Sequence, residues 1–295
     1  MIFTTTLSAL NLKNTIISIG NFDGVHLGHQ MLLESLHKKS ITNNKKSVVI
    51  SFFPPAKLLL RGGKFLSSRS EKRELLEIYK PDAIVMIPFD HDYAQLSKEV
   101  FIKELIRLEP NHIIIGEDFR FGNRREGNIN DLSKIAGSLE VFNLLSDEKG
   151  PISSSRIRAL IAESKVEAAA KLLGRPYSAV GLVVKGQQRG RTISFPTANT
   201  QITDSKALPS GVFAVTVETS YGVFKAMANL GKRPSFKEVP ATLEAHLFDF
   251  NDDLYEHRIK VNFHRFIRKE KKFSSLDELK KQLQADKELA LKLLV

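Results

Sequence analysis

Apolar residues in the first half of the chain arrive in short unbroken runs. Residues 16–19, 48–52, 83–87 and 113–115 are rich in Ile and Val and have the length of buried strands. The run at 48–52 stops at Pro54-Pro55. Between these runs, residues 28–39, 71–79 and 97–108 read as helices. Ser68 and Glu71 have the spacing of a capping box at the start of the second of them. Strands alternating with helices predict βαβ units and a parallel sheet.

From about residue 180 the rhythm changes. Runs at 180–184, 212–217, 223–228 and 259–263 are β-branched and aromatic, and Gly, Pro and Asn separate them. This spacing predicts an antiparallel barrel or sandwich. A terminal helix follows, with Ser275 and Glu278 at capping-box spacing and leucines recurring to Leu294. Gly174-Arg175-Pro176 breaks a helix, so two domains are expected, 1–174 and 175–295.

The chain has 295 residues and no cysteine, which excludes disulfides, Cys-ligated zinc and a thiol nucleophile. Its formal charge of +11 attracts polyanions, but the basic residues are scattered in short runs that suit solvated faces. A basic nucleic-acid binder is one class this charge admits. No apolar run approaches the roughly 20 residues that span a bilayer, and the cytoplasm is the expected compartment.

Two segments carry chemistry. The first follows the strand at 16–19 and reads Gly20-Asn21-Phe22-Asp23-Gly24-Val25-His26-Leu27-Gly28-His29. Glycines at a strand-to-helix turn let main-chain amides approach an anion, and the helix start adds a favourable dipole. Two histidines three apart can face one side of the first turn and donate to phosphate oxygens. A capped helix with two surface histidines fits the same spacing, and zinc pairs usually stand four apart. The second segment runs from Gly186 through Gly190 and Arg191 to Phe195-Pro196-Thr197-Ala198-Asn199. No Walker-type phosphate loop occurs, so a kinase of that type is not expected. Further on, Leu243-Glu244-Ala245-His246-Leu247-Phe248 alternates so that Glu244, His246 and Phe248 share a strand face.

The first segment resembles the HxGH signature of nucleotidyltransferases, and its Asn-Phe-Asp-Gly-Val-His form resembles bacterial bifunctional riboflavin kinase/FAD synthetases. Further segments extend the likeness in order: Gly116 through Asp118, Phe119, Arg120 and Phe121 to Gly122; Ser153-Ser154-Ser155-Arg156-Ile157-Arg158; the Pro-Thr-Ala-Asn string; Asn229-Leu230-Gly231-Lys232-Arg233; the Glu244 strand; and Arg268 with its flanking residues. The resemblance implies a Rossmann-like adenylyltransferase domain with a parallel sheet, followed by a β-barrel riboflavin kinase domain. It implies the substrates riboflavin, FMN and ATP, with Mg²⁺, and no nucleic-acid or membrane partner. By the same likeness Glu244 is the base for the riboflavin 5′-hydroxyl, while His26 and His29 serve adenylyl transfer. The likeness implies that Gly20, Phe22, Asp23, Gly24, Gly28, Ser153, Ser154, Ser155, Arg156, Arg158, Gly186, Gly190 and Arg191 bind nucleotide. It also implies that Asp118, Phe119, Arg120, Phe121, Asn229, Arg233 and Arg268 contact flavin, and that Thr197 and Asn199 hold the metal.

The chain departs from the family pattern at several points. Pro55 stands where the family carries the histidine of Pro-His-Pro, and a proline has no N–H to donate. Gln188, Ser194 and Glu256 stand where glycine is commoner, and Ser235 where threonine is. Retention of the kinase alone, or a flavin- or nucleotide-responsive regulator on the same fold, are the alternatives these departures leave open.

Overall fold

The computed structural model describes residues 1–186, 195–231 and 241–294. Its contacts divide the chain into two compact units, Met1–Ser154 and Ser155–Val295.

The first unit runs β1 (Ile2–Thr4), β2 (Thr15–Ile19), α1 (Leu27–Thr42), β3 (Ser47–Phe53), α2 (Ala56–Arg61), α3 (Arg69–Glu77), β4 (Ala83–Pro88), α4 (His91–Ala94), α5 (Lys98–Ile106), β5 (Pro110–Gly116), α6 (Ile129–Ser133) and β6 (Ser138–Phe142), closing with the small hairpin β7 (Ser146–Asp147) and β8 (Gly150–Pro151). Six strands form a parallel sheet in the order β1-β4-β3-β2-β5-β6. Both faces are covered, which is why the central strands read as continuous apolar runs rather than alternating ones. Ile17, Ile50, Val85 and Ile113 pack with Phe101 and Leu105 of α5 on one face. Ile16, Val49, Ile84 and Ile114 pack with Leu33 and Leu36 of α1 and Leu76 of α3 on the other. The Ser68 capping box at α3 is complete: Glu71 N–H donates to Ser68 Oγ, and Ser68 N–H donates to the Glu71 carboxylate.

Strand order progresses one way from β2 to β3 and β4, and the other way from β5 to β6. The reversal lies between β2 and β5, the place where open parallel sheets bind ligands at their carboxyl ends. The Gly20–His29 segment leaves β2 there, and the segment from Gly116 to Gly122 leaves β5 beside it.

The second unit holds α7 (Ser154–Ala162) apart from its first residue, α8 (Val166–Leu173), β9 (Tyr177–Val184), β10 (Ala198–Ile202), β11 (Gly211–Thr219), β12 (Gly222–Leu230), β13 (Ala241–Leu247), β14 (Arg258–Arg268) and α9 (Leu276–Leu293). The strands close into an antiparallel barrel, β10-β13-β12-β11-β14-β9. Among the described residues, closure leaves no edge of the barrel exposed for pairing with another chain. The sequence division at 174/175 falls just after α8, which ends on Gly174 in a left-handed conformation. Helix α8 buries Val166, Ala169, Leu172 and Leu173, and Glu167 accepts from the Phe266 amide of β14 at 2.8 Å.

Helix α9 begins at Ser275, whose Oγ accepts from the Glu278 amide. The Glu278 carboxylate takes the Ser274 N–H and hydroxyl instead of the Ser275 amide, so the expected box is half-formed. The helix is pinned to the barrel through Asp286, 2% exposed, which accepts from Arg268 Nε and Nη2 at 2.7–3.0 Å. Removing one partner of such a pair strands the other charge. Replacing Asp286 with Ala is therefore expected to destabilise the second unit by roughly 2–3 kcal/mol, read from its urea transition.

Candidate active sites

The loop after β2 is held in an unusual backbone shape. Phe22 and Val25 have positive φ angles of 45° and 41°. A branched or aromatic side chain adopts that region only when its surroundings enforce it. The enforcement is visible. Phe22 is fully buried against α1 and β3. Asp23 Oδ1 accepts from the Leu66 and Ser67 amides at 2.9 and 3.2 Å. Ser67 Oγ accepts from the Gly24 amide at 3.0 Å, and Ser154 Oγ donates to the Asp23 carbonyl at 2.8 Å. Gly24, at φ 79°, has no room for a side chain, since a Cβ there would lie 2.8 Å from Leu66. Phe22, Asp23 and Gly24 thus act from below, fixing the loop's shape.

On this base the two histidines come together. The His26 and His29 rings stack with centroids 3.7 Å apart and planes 19° from parallel, and Phe22 meets His29 edge-on at 5.2 Å. His29 is partly exposed, but its Nδ1 is buried and meets no hydrogen-bond partner among the described residues. Burial first, then the neighbouring His26 and the ammonium of Lys72, push the His29 pKa well below its ordinary value. Near neutral pH the ring is uncharged. The stacked pair stands at the first turn of α1, where main-chain N–H groups also face outward.

In the barrel, register brings three residues into one row. Asn199 of β10 pairs with Glu244 of β13, and Glu244 pairs with Asn229 of β12. Leu243 and Ala245 are fully buried toward the barrel interior, so Glu244 points the other way and is exposed. Asn229 Oδ1 is buried and meets no hydrogen-bond partner among the described residues. Thr197 lies beside the row, its carbonyl 3.4 Å from Asn199 Nδ2. Gly186 is required by close approach, because a Cβ would fall 2.5 Å from the Asn199 carboxamide. His246, two residues past Glu244, is buried between Phe195 and Phe248, and its Nδ1 lies 2.7 Å from the Pro196 carbonyl. A carbonyl only accepts, so Nδ1 carries the proton. Burial keeps the ring's pKa below the ordinary histidine value. His246 thereby fixes the chain at Thr197. Alternation along β13 placed it on the Glu244 face, but nothing in the sequence indicated the Pro196 bond.

Comparison with known proteins agrees with both halves. The FAD synthetase family model matches residues 8–156, and the riboflavin kinase model matches residues 173–294. A bifunctional riboflavin kinase/FMN adenylyltransferase of Buchnera aphidicola subsp. Schizaphis graminum is 41% identical, with 96% of each chain covered. The proteins of the same name from Haemophilus influenzae and Escherichia coli are each 36% identical, over 95% of this chain and 94% and 93% of theirs. The chain belongs to the bifunctional riboflavin kinase/FMN adenylyltransferase family. A solved structure described as a macrolide-efflux protein of Streptococcus pneumoniae matches with a TM-score of 0.88 and 32% identity, covering 98% of each chain. No helix of the described residues here is long and apolar enough to cross a membrane.

Phe121 is spent on the core, tilted against Phe101 at 5.3 Å, and Gly127 exists to admit its ring. Phe119 stacks on Phe121 at 5.9 Å and is the more accessible of the two. Arg120 is exposed and donates to the Phe119 and Glu117 carbonyls, and Asp118 is exposed beside it. Ser153 and Ser154 close the first unit, whereas Ser155, Arg156 and Arg158 belong to the second. Arg268 has its guanidinium engaged by Asp286 and the Lys269 carbonyl, an anchoring role that the sequence did not indicate. Gly190, Arg191 and Arg233, with Gln188, Ser194 and Ser235, lie outside the described residues. Gly20 and Gly28 border the loop, a Cβ on Gly28 lying 3.4 Å from the His26 ring. Glu256 has φ 65°, a left-handed backbone that glycine adopts without strain. Pro55 is buried at the start of α2.

Proposed function

We propose that the chain makes FMN and then FAD at two separate sites, each in its own part of the chain. In the barrel, the riboflavin 5′-hydroxyl attacks the γ-phosphorus of ATP. Its proton passes to Glu244 and ADP leaves. At the loop after β2, a phosphate oxygen of FMN attacks the α-phosphorus of a second ATP and pyrophosphate leaves. His29 and His26, with the amides at the start of α1, offer hydrogen bonds to the charge that gathers on the α-phosphate. The observation that carries this reading is the row Asn199–Glu244–Asn229, a carboxylate flanked by two carboxamides at the level of Thr197.

Thr197 and Asn199 offer the hard oxygen donors that Mg²⁺ prefers, and Mg²⁺ held there would neutralise charge on the ATP phosphates. Phe119 and Arg120, at the carboxyl end of β5, suit the flavin ring and phosphate tail of FMN. The role of Ser155, Arg156 and Arg158 toward the triphosphate rests on their motif alone. The same holds for Gly190, Arg191 and Arg233. The absence of cysteine fits a reducing compartment, and we assign the chain to the cytoplasm.

The test is an assay of the purified protein with riboflavin, ATP and Mg²⁺ that resolves FMN, FAD, ADP and pyrophosphate. Both products are expected, and the absence of both would overturn the reading. A second reading keeps only the kinase, and Pro55 favours it by lacking the family's histidine donor. It predicts FMN and ADP without FAD.

The kinase motifs all follow Gly174, so we place the functional division at 1–174 and 175–295. A fragment starting at Ser155 is expected to form FMN. One starting at Arg175 loses the apolar contacts of α8, each worth about 1.5–3 kcal/mol per large side chain. It should therefore unfold at distinctly lower urea than the longer fragment. Equal midpoints would show that α8 contributes nothing to the barrel.

A further inference from the structure

Lys72, in α3, is fully buried. Its Nζ donates to the Asn21 carbonyl and to the Phe52 carbonyl, both at 2.7 Å. The Phe53 ring lies 5.5 Å away. Asn21 stands in the loop just past β2, and Phe52 near the end of β3, so one ammonium joins the carboxyl ends of two neighbouring strands at the base of the loop. Lys72 forms no ion pair among the described residues. Asp23, the nearby acid, gives its Oδ1 to the Leu66 and Ser67 amides.

We propose that Lys72 is a positioning residue for adenylyl transfer, a buried ammonium that fixes the base of the loop and supplies fixed positive charge beneath it. The proposal rests on reading the loop as the adenylyl-transfer site. A residue needed only for packing would more cheaply be apolar, because dehydrating an ammonium is costly and two carbonyl contacts recover only part of that cost. The cost is visible in Lys72 itself, whose pKa burial lowers to about 8, with Asp23 opposing the shift. A positive charge held there suits a site that binds a triphosphate and a phosphate monoester, since the field needs no rearrangement when the anions arrive.

The charge also acts on His29. Among the described residues, the titratable groups that feel it are His29 and Asp23, with Glu71 beside it on α3 engaged by the Ser68 amide. Below about pH 8 Lys72 is charged and helps burial and His26 to keep His29 neutral. As pH rises through 8 the ammonium loses its proton, the field vanishes and the carbonyl contacts weaken. FAD formation should decline over that range.

The experiment uses the full chain with Lys72→Met and Lys72→Gln, assaying FAD from FMN and FMN from riboflavin across pH 8, with NMR titration of His29. In Lys72→Met, kcat for FAD should fall about 10- to 100-fold with little change in KM, while FMN formation is preserved. The alkaline decline should disappear, and the His29 titration should move up toward its ordinary range. Lys72→Gln can still donate to the carbonyls, so it should lose the alkaline decline but less of the rate. FAD formation by Lys72→Met at the wild-type rate, with an unchanged pH profile, overturns the proposal. So does equal loss of both activities in the two variants, which would mark the lysine as a prop for the fold. Failure of the wild-type protein to form FAD would instead overturn the reading of the loop.

Discussion

Glu244→Gln lowers riboflavin phosphorylation by about 10²–10⁴-fold, the usual contribution of a general base. The substitution keeps the size of the side chain and most of its hydrogen bonding, and removes the capacity to accept a proton. Glu244 is exposed and projects from a strand whose neighbours are fully buried, so the exchange leaves the barrel core untouched. Its two cross-strand neighbours, Asn199 and Asn229, are uncharged and cannot take over as bases. The affinity for riboflavin should change little, because the role lies in the transition state. Adenylylation of supplied FMN should continue at the wild-type rate, since His26 and His29 belong to the other unit. Paired kinetics on one preparation, with riboflavin and with FMN, give both numbers. Phosphorylation at the wild-type rate would remove Glu244 from the role.

The sequence made the architecture legible where burial is simple. The strands at 48–52 and 83–87 are covered on both faces, so their apolar runs correspond closely to β3 and β4. Edge strands were harder to read. Strand β6, Ser138–Phe142, has no fully buried residue, and β1 is three residues long, so neither has a run to notice. Strand β10 carries Asn, Thr and Gln, and becomes a strand because β9 and β13 complete its hydrogen bonds on both sides. The capping box at Ser68 could be read because it is local; the Arg268–Asp286 anchor joins residues 18 apart and has no sequence signature.

The sites divide the same way. Glycine and histidine spacing located the loop after β2, but not that Phe22 and Asp23 face inward to brace it. Register, which no single segment encodes, aligned Asn199, Glu244 and Asn229 in one row. Lys72 was hidden by its type, because a lysine in a helix reads as solvated until its burial is known.

His29→Ala slows FAD formation by about 100-fold or more while FMN formation continues unchanged. The size follows from what a preorganised donor contributes at a developing oxyanion, about 10²–10³-fold per hydrogen bond removed. The geometry gives the donor its preorganisation. His29 is held by stacking on His26 at 3.7 Å and by the edge of Phe22 at 5.2 Å, with Phe22 itself fixed in the core. Its lowered pKa keeps the ring neutral at working pH, so its hydrogen bond does not depend on first gaining a proton. FAD formation should accordingly show no step near pH 6.5, where an ordinary histidine would titrate. Truncation at position 29 leaves the loop's underside intact, because Asp23, Gly24 and Ser67 make none of their hydrogen bonds through His29. A companion His26→Ala variant removes the stacked neighbour and one cause of the pKa shift, and should move the His29 titration upward. If His29→Ala loses both activities together, the histidine supports the fold. If it loses neither, the charge on the α-phosphate is met by the amides at the start of α1.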